Sequence, residues 1–246
     1  MDELLAISLQ SMQADMARLD QVGMNLANVL TPGYKRGVAV QGPLTANFAS
    51  QLASAGQVQS QPPVAPVQFA ADMRAGTLKS TGQGLDVAIA GKGYFEVMTE
   101  SGPAYTREGG FRIDARGRLV TAQGHPVMGA AGEITLPDAR ATIAPNGAIT
   151  FASGQPLGQL KLVEFEVGAS PQRLGNGLFA ATTGMKPVAD EEVQVRQGFL
   201  ENSNATSTLE MTGLVQAMRH FEGMQKVLQG YDEMLGLAVR KLSENP

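Results

Sequence analysis

Neither cysteine nor tryptophan occurs among the 246 residues, and histidine occurs only twice. Without cysteine there are no disulfides, no thiolate nucleophiles and no Cys-ligated zinc. Such a chain tolerates either redox state. Charge is sparse too, at 17% of residues with a net charge of −4, against about 25% in an average globular protein. No Lys/Arg cluster or aromatic-interleaved basic patch stands out. That argues against nucleic acid as a partner, because such affinity comes largely from neutralised phosphates. It argues equally against an anionic membrane surface. No apolar run approaches ~18 residues, so no transmembrane helix and no direct membrane insertion are expected. The start, Met1-Asp2-Glu3-Leu4-Leu5, is acidic where a Sec signal is basic, and Ser8, Gln10 and Gln13 interrupt its apolar residues. A Sec signal is therefore not expected.

What is present is 43% hydrophobic residues and 29 glycines, arranged in four stretches of different character. The first 30 residues carry an amphipathic helical stripe. Leu5, Leu9, Met12, Met16 and Leu19 recur at spacings of four and three, continued by Val22, Leu26 and Val29. This is an a/d-type seam suited to helix-on-helix packing. Asn28 followed by Thr31-Pro32-Gly33 ends it, since proline disfavours helical geometry in the preceding residue. Residues 37–75 are rich in Ala, Gln, Ser, Gly and Pro, which reads as an extended linker. From Gly76 the pattern is β. The runs are Leu85–Ile89, Tyr94–Met98, Phe111–Ile113, Arg118–Val120, Ala141–Ile143, Ala148–Phe151 and Leu160–Val167, with turns at Asp114–Gly117 and Pro145–Gly147. The last forty residues return to helix. Ser207 and Glu210 fit a capping box, followed by a stripe of Leu214, Met218, Phe221, Met224, Leu228, Tyr231, Leu235, Ala238 and Leu242. Gly213, Gly223, Gly230 and Gly236 interrupt it, each costing about 1 kcal/mol relative to alanine.

The expected class is α+β: long N- and C-terminal helices pairing as a coiled coil, with a central all-β domain. The boundaries are 1–36 for the first helix and turn, 37–75 linker, 76–186 β domain and 187–246 C-terminal segment and helix. The two terminal stripes need cover, and the economical solution is each other or further copies of the chain.

No catalytic constellation is found. His125 sits in a turn and His220 on a helix face, with no HxxxH spacing, so neither metal nor cofactor is expected. Gly82-Gln83-Gly84 and Gly91-Lys92-Gly93 complete no phosphate-loop motif and read as strand-edge bulges or turns. Glu164 and Glu166 share one strand face, as a solvated pair, and Asp190-Glu191-Glu192 is a solvated run. Asn204-Ala205-Thr206 matches a glycosylation acceptor, a weak three-residue signal.

Six motifs in order are more specific. They are Asn25-Leu26-Ala27-Asn28 with Thr31-Pro32-Gly33-Tyr34-Lys35-Arg36; Leu85 to Phe95; Tyr105-Thr106-Arg107-Glu108-Gly109-Gly110-Phe111; Gly117-Arg118-Leu119-Val120-Thr121; Gln197-Gly198-Phe199-Leu200-Glu201-Asn202-Ser203-Asn204; and Arg219, Phe221, Glu222 and Lys226. Together they closely resemble the axial proteins of the bacterial flagellum, in particular basal-body rod proteins of the proximal- and distal-rod type. The resemblance covers nearly the whole chain outside residues 40–75. Met24 departs from it, standing where the family usually has a first asparagine before Asn25.

The resemblance implies a structural subunit that self-assembles into a helical tube, its terminal helices inside and its β domain outside. It implies neighbouring rod and hook-side axial proteins as partners, a rod crossing the periplasm, and export through the flagellar type III apparatus. On that reading the stripes Leu5–Leu26 and Leu214–Leu242 are seams between helices and between subunits. Asn25, Asn28 and Thr31–Arg36 shape the turn that redirects the chain. Tyr34, Lys35 and Arg36 would then contact an adjacent subunit, or form a solvated basic pair after an ordinary turn. The compact length favours the proximal type slightly. The alternatives are a monomeric binding module with a β-domain ligand site, or a cell-wall enzyme, for which no acid/base pair offers itself.

Overall fold

A computed structural model describes residues 2–40, 67–138, 140–151, 153–166, 171–180, 184–189 and 191–243. Most of the stretch read as linker, residues 41–66, lies outside them, as do Val167 and Asp190. The class is α+β, and the chain divides into two compact units. One comprises Met1–Ala27, Gly37–Ala70 and Thr206–Pro246, the other Asn28–Arg36 and Ala71–Ala205.

In the first unit, helix α1 spans Asp2–Ala27 and helix α2 spans Ser207–Ser243. At 1.5 Å per residue they are roughly 39 and 55 Å long. Strands β1 (Gly37–Val40) and β2 (Gln68–Ala71) form a two-stranded ladder at the two ends of the expected linker, and β1 packs on α1. The helices pack against each other. Asn25 meets Glu210 and Asp15 meets His220, so position on α2 rises as position on α1 falls and the two run antiparallel. The cap of α2 falls one residue earlier than the capping-box reading places it. Glu210 N donates to Thr206 O at 3.0 Å, which makes Thr206 the cap, because the cap carbonyl accepts the first helical bond. The Glu210 carboxylate turns to Asn25 instead.

An added Cβ at Gly223, Gly230 or Gly236 would meet nothing within 4 Å. These glycines weaken α2 without serving its packing. Gly223→Ala combined with Gly230→Ala is expected to stabilise the helix by about 1 kcal/mol per site, read as higher helicity of the monomer by circular dichroism. Unchanged helicity would dismiss the idea that these glycines hold the segment loose.

The second unit is β throughout. In chain order its strands are β3 (Leu78–Ser80), β4 (Val87–Ile89), β5 (Tyr94–Thr99), β6 (Gly102–Thr106), β7 (Arg112–Ile113) and β8 (Leu119–Val120). Then come β9 (Met128–Gly129), β10 (Gly132–Glu133), β11 (Thr142–Ile143), β12 (Ala148–Thr150) and β13 (Pro156–Gln159). Last are β14 (Leu162–Phe165), β15 (Gln172–Gly175), β16 (Leu178–Ala180), β17 (Met185–Pro187), β18 (Val195–Gln197) and β19 (Phe199–Glu201). The largest sheet is six-stranded, in the order β15-β16-β6-β5-β14-β17, and its described ladders are antiparallel. Alternation along β5 explains its burial on both faces. Phe95 and Val97 enter the main core with Leu119, Val127, Leu136 and Ile149, while Tyr94 joins Tyr105, Val163 and Phe179 in a second cluster. The expected turns form by named chemistry. Asp114 Oδ1 accepts from Arg116 N and Arg118 N, both at 2.8 Å. Asn146 Oδ1 accepts from Ala148 N, ahead of Gly147 at φ +80°.

Strands β18 and β19 fall within the segment read as C-terminal, yet they pair with β4 and β3. The motif Gln197–Asn204 is thereby built into the β unit.

Candidate functional site

Two features carry the motif residues, and each lies within one unit. In the β unit the first is the turn that follows α1. Thr31 N donates to Asn28 O at 3.1 Å, and Thr31 Oγ1 meets Asn28 Oδ1 at the same distance. Gly33 then takes φ +70°, the conformation only glycine adopts freely. Its backbone lies so close to Arg107 and Glu108 that an added Cβ would sit 2.4 Å from their backbone atoms. Gly33 N donates to Glu201 O at 2.8 Å.

The turn delivers Lys35 into the interior. Its side chain is 1% exposed, and Nζ donates to Glu201 Oε1 at 2.6 Å and to Arg74 O at 2.8 Å. Arg107 approaches the other oxygen of the same carboxylate, Nη1 to Oε2 at 3.0 Å, and its Nη2 donates to Gly91 O. Gly76 N adds a third donor to Glu201, at 2.7 Å. The Arg107 guanidinium also lies over the Tyr94 ring, 5.0 Å from its centre. Two buried cations thus share one buried carboxylate. Burial lowers the Lys35 pKa, the Glu201 charge opposes that fall, and the Arg107 charge adds to it. Burial likewise pushes the Tyr94 hydroxyl up.

The solvated basic pair allowed for at Lys35-Arg36 is therefore absent. Lys35 is buried in this cluster, Arg36 is half-buried, and Tyr34 lies inside beneath the Arg173 guanidinium, which also donates to Lys35 O. The motif's last residue, Asn204, is a backbone bracket: Oδ1 accepts from Arg36 N at 2.7 Å, and Nδ2 donates to Asp72 O and Arg74 O. An amide so engaged makes a poor glycosylation acceptor.

The second feature is the pair of helices. Where α1 is most buried, it is polar: Ser8, Asp15, Gln21 and Asn25. Asn25 Nδ2 donates to Glu210 Oε2 and to Gly37 O, each at 3.0 Å, and Oδ1 accepts from Gly37 N at 2.8 Å and Gln21 Nε2 at 3.1 Å. Asp15 is fully buried, with Arg18 at 3.2 Å and His220 Nδ1 at 2.5 Å. The stripe residues divide. Met12, Leu19, Leu26, Leu214, Phe221, Met224 and Leu228 are half-buried. Leu9, Met16, Met218 and Leu235 are exposed, Met16 by 56% and Met218 by 47%. Ile7, Met24, Leu209, Met211, Val215, Val227, Met234 and Leu237 are exposed beside them. The side chains of Leu5, Ala238 and Leu242 lie outside the described residues. Met24, the departure from the family pattern, is thus exposed, whereas Asn25 beside it is buried. Sequence reading missed Asp15, Gln21, Arg107 and Glu201 as structural participants. The only available signal was the presence of the last two in the ordered motifs that carry the family resemblance.

Elsewhere Glu164 faces Lys92 at 3.7 Å and Glu166 faces Lys186 at 2.9 Å, as exposed pairs. Among the described residues no group of three or more His, Asp or Glu could hold a metal, and no helix is long and apolar enough to cross a membrane.

The family model described as the flagellar hook protein FlgE/F/G D1 domain matches residues 88–151. That described as the flagellar basal body rod FlgEFG protein C-terminal matches residues 196–240. The latter takes in Glu201, Asn204 and most of α2. Similar proteins include the flagellar basal-body rod protein FlgF of Escherichia coli, 35% identical over 89% of this chain and 90% of its own length. The FlgF of Caulobacter vibrioides is 30% identical over 99% of both. A flagellar basal-body rod protein FlgG, from Buchnera aphidicola, is 31% identical over 98% of both. Relatives 30–35% identical over most of this chain's length show the family: the chain belongs to the flagellar basal-body rod proteins, as a structural subunit of the basal body and not an enzyme.

Proposed function

We propose that the chain builds the periplasmic part of the flagellar rod as a helical tube, which transmits torque and encloses the export channel. Membership of the rod family implies assembly with other flagellar axial proteins. The finer reading places the helical unit in the inner wall as a coiled-coil pair and the β unit outside, with export through the type III apparatus. Similarity to FlgF and FlgG alike leaves proximal and distal positions open. The compact length favours the proximal one.

The observation that carries this reading is the exposed apolar face of the helices. Two helices that satisfied each other would bury their apolar stripes, but Leu9, Met16, Val215, Met218 and Val227 remain outside the pair. Exposed apolar residues recurring along a helix pair mark a place for association. The surface residues of the interhelical seam, not the β core, are then the assembly residues proposed here. Tyr34, Lys35 and Arg36 serve assembly by fixing the turn.

The test is Met16→Glu combined with Met218→Glu. Both positions are exposed in the single chain, so the change is expected to alter its stability by no more than about 0.5 kcal/mol. Cells carrying only this variant are expected to be non-motile, with isolated basal bodies that lack the axial parts beyond the affected position. Normal motility with normal basal bodies would sink the proposal.

A further inference from the structure

We infer that the register of the two helices is set by two polar clamps, Asn25–Glu210 and Asp15–His220, and not by their apolar stripes. The clamps lie ten residues apart on both helices, so they agree on a single antiparallel alignment. A third point confirms that alignment: an added Cβ on Gly213, between the clamps on α2, would sit 3.6 Å from Val22 Cγ2, between them on α1.

The division of side chains supports the assignment. Ser8, Asp15 and Val22 recur every seven residues on the face turned to α2, and two of the three are polar. The apolar seam residues around them are only half-buried, and apart from Phe221 they are mostly interchangeable Leu, Met and Val. A seam of that kind tolerates sliding by a turn, because one methionine fills a neighbour's space about as well. Buried Asp15, Asn25 and Glu210 do not tolerate it, although His220 itself is about half exposed (49%). A slip of four residues, about 6 Å at 1.5 Å per residue, would leave the buried Asp15 carboxylate opposite Met224 or Gln216 and Glu210 without the Asn25 amide. Asp15 would keep Arg18 on its own helix but lose His220, and a buried polar group that loses a partner pays desolvation for it. A single buried polar pair is known to fix helix alignment in this way at a cost in stability. The charged groups at the lower clamp are Asp15 and Arg18 on α1 and His220 on α2. Strand β1, beside the other clamp at Asn25, brings no titratable side chain.

The consequence deepens the assembly reading, and its outward half rests on that reading. Polar residues hold the pair in one alignment, so the apolar residues on the outer face present one fixed pattern to the next subunit. The register itself belongs to the single chain, so its failure and the failure of the assembly reading appear in different experiments.

Because the chain has no cysteine of its own, disulfides report register cleanly. Val22→Cys with Gly213→Cys reads the observed alignment, and Val22→Cys with Ala217→Cys reads a slip of one turn. In the otherwise unchanged protein, mild oxidation of dilute monomer is expected to link only the first pair. With both clamps replaced by leucine (Asp15→Leu, His220→Leu, Asn25→Leu, Glu210→Leu), the first link is expected to weaken several-fold and the second to appear. The exchanged pair Asp15→His with His220→Asp is expected to restore the first link alone. If the four-leucine chain keeps only the 22–213 link, the apolar stripes set the register and the inference falls. Should that chain lose its helical signal, Asp15→Leu with His220→Leu and Asn25→Leu with Glu210→Leu are compared separately: a weaker 22–213 link in each supports the clamps, and an unchanged 22–213 link in both overturns them.

Discussion

Glu201→Ala is expected to destabilise the β unit by about 3–5 kcal/mol, because it strands two buried cations in one step. Lys35 and Arg107 have side chains 1% and 6% exposed, and Glu201 is the carboxylate both of them reach. An exposed ion pair would contribute little. Here neither ammonium nor guanidinium has water to return to. The loss is a large fraction of the ~5–15 kcal/mol that holds a typical domain together. Glu201→Gln keeps the shape but not the charge, and should fall between the two. Tyr34, Tyr94 and Tyr105 all lie buried in this unit, so urea unfolding followed by tyrosine fluorescence reads the effect without a tryptophan. An unfolding free energy within about 1 kcal/mol of the unchanged protein would show that the cluster does not hold the turn.

The second large effect is expected at Asn25. Its amide is 1% exposed and satisfies Gly37 on both backbone groups as well as Glu210. Asn25→Asp changes almost no volume, yet it removes both Nδ2 donors and sets a carboxylate against a buried carboxylate. We expect about 3–5 kcal/mol of lost stability in the helical unit, as for other uncompensated buried charges. The penalty should shrink as pH falls toward ~4, where protonating one carboxylate relieves the repulsion and restores a donor. The sign is that of a raised carboxyl pKa in the folded state: the recovered stability is present at low pH and is lost as pH rises. Urea unfolding followed by helical circular dichroism at several pH values reads it. A pH-independent loss would mean that the Glu210 contact is incidental. The same kind of exchange at exposed Met24 should be nearly neutral.

Sequence periodicity was a good guide to what exists and a poor one to what faces what. The 3-and-4 spacing from Leu5 to Leu26 and the Thr31-Pro32-Gly33 stop located α1 and its end at Ala27. The alternation at Tyr94–Met98 located β5, the strand between β6 and β14 in the largest sheet. Its partner β6 was not legible, because Gly102-Pro103 at its start carries the composition of a turn. Apolar spacing likewise shows which residues want cover but not which neighbour supplies it. Leu9 and Met16 belong to the same stripe as Met12 and Leu19, yet they face outward. Polar burial left little periodic trace, only the seven-residue step from Ser8 to Asp15. Lys35 and Glu201 lie 166 residues apart, and nothing local in Thr31–Arg36 distinguishes a solvated lysine from one enclosed by its own chain. Glu210 illustrates the same point, since a local capping rule competed with a tertiary partner at Asn25, and the partner took the carboxylate.

On the proposed reading, neighbouring axial subunits sit on the apolar faces left outside the helix pair. Cysteine crosslinking in isolated basal bodies tests it most directly. Cysteine is placed singly at Met16 or Met218 on the helices, with exposed Arg116 in the β unit as the comparison. We expect crosslinks from the helical positions, to a second copy or to another axial protein, at high yield and only in assembled basal bodies. Crosslinks from Arg116 alone, with the two helical cysteines remaining reactive to solvent, would contradict the account.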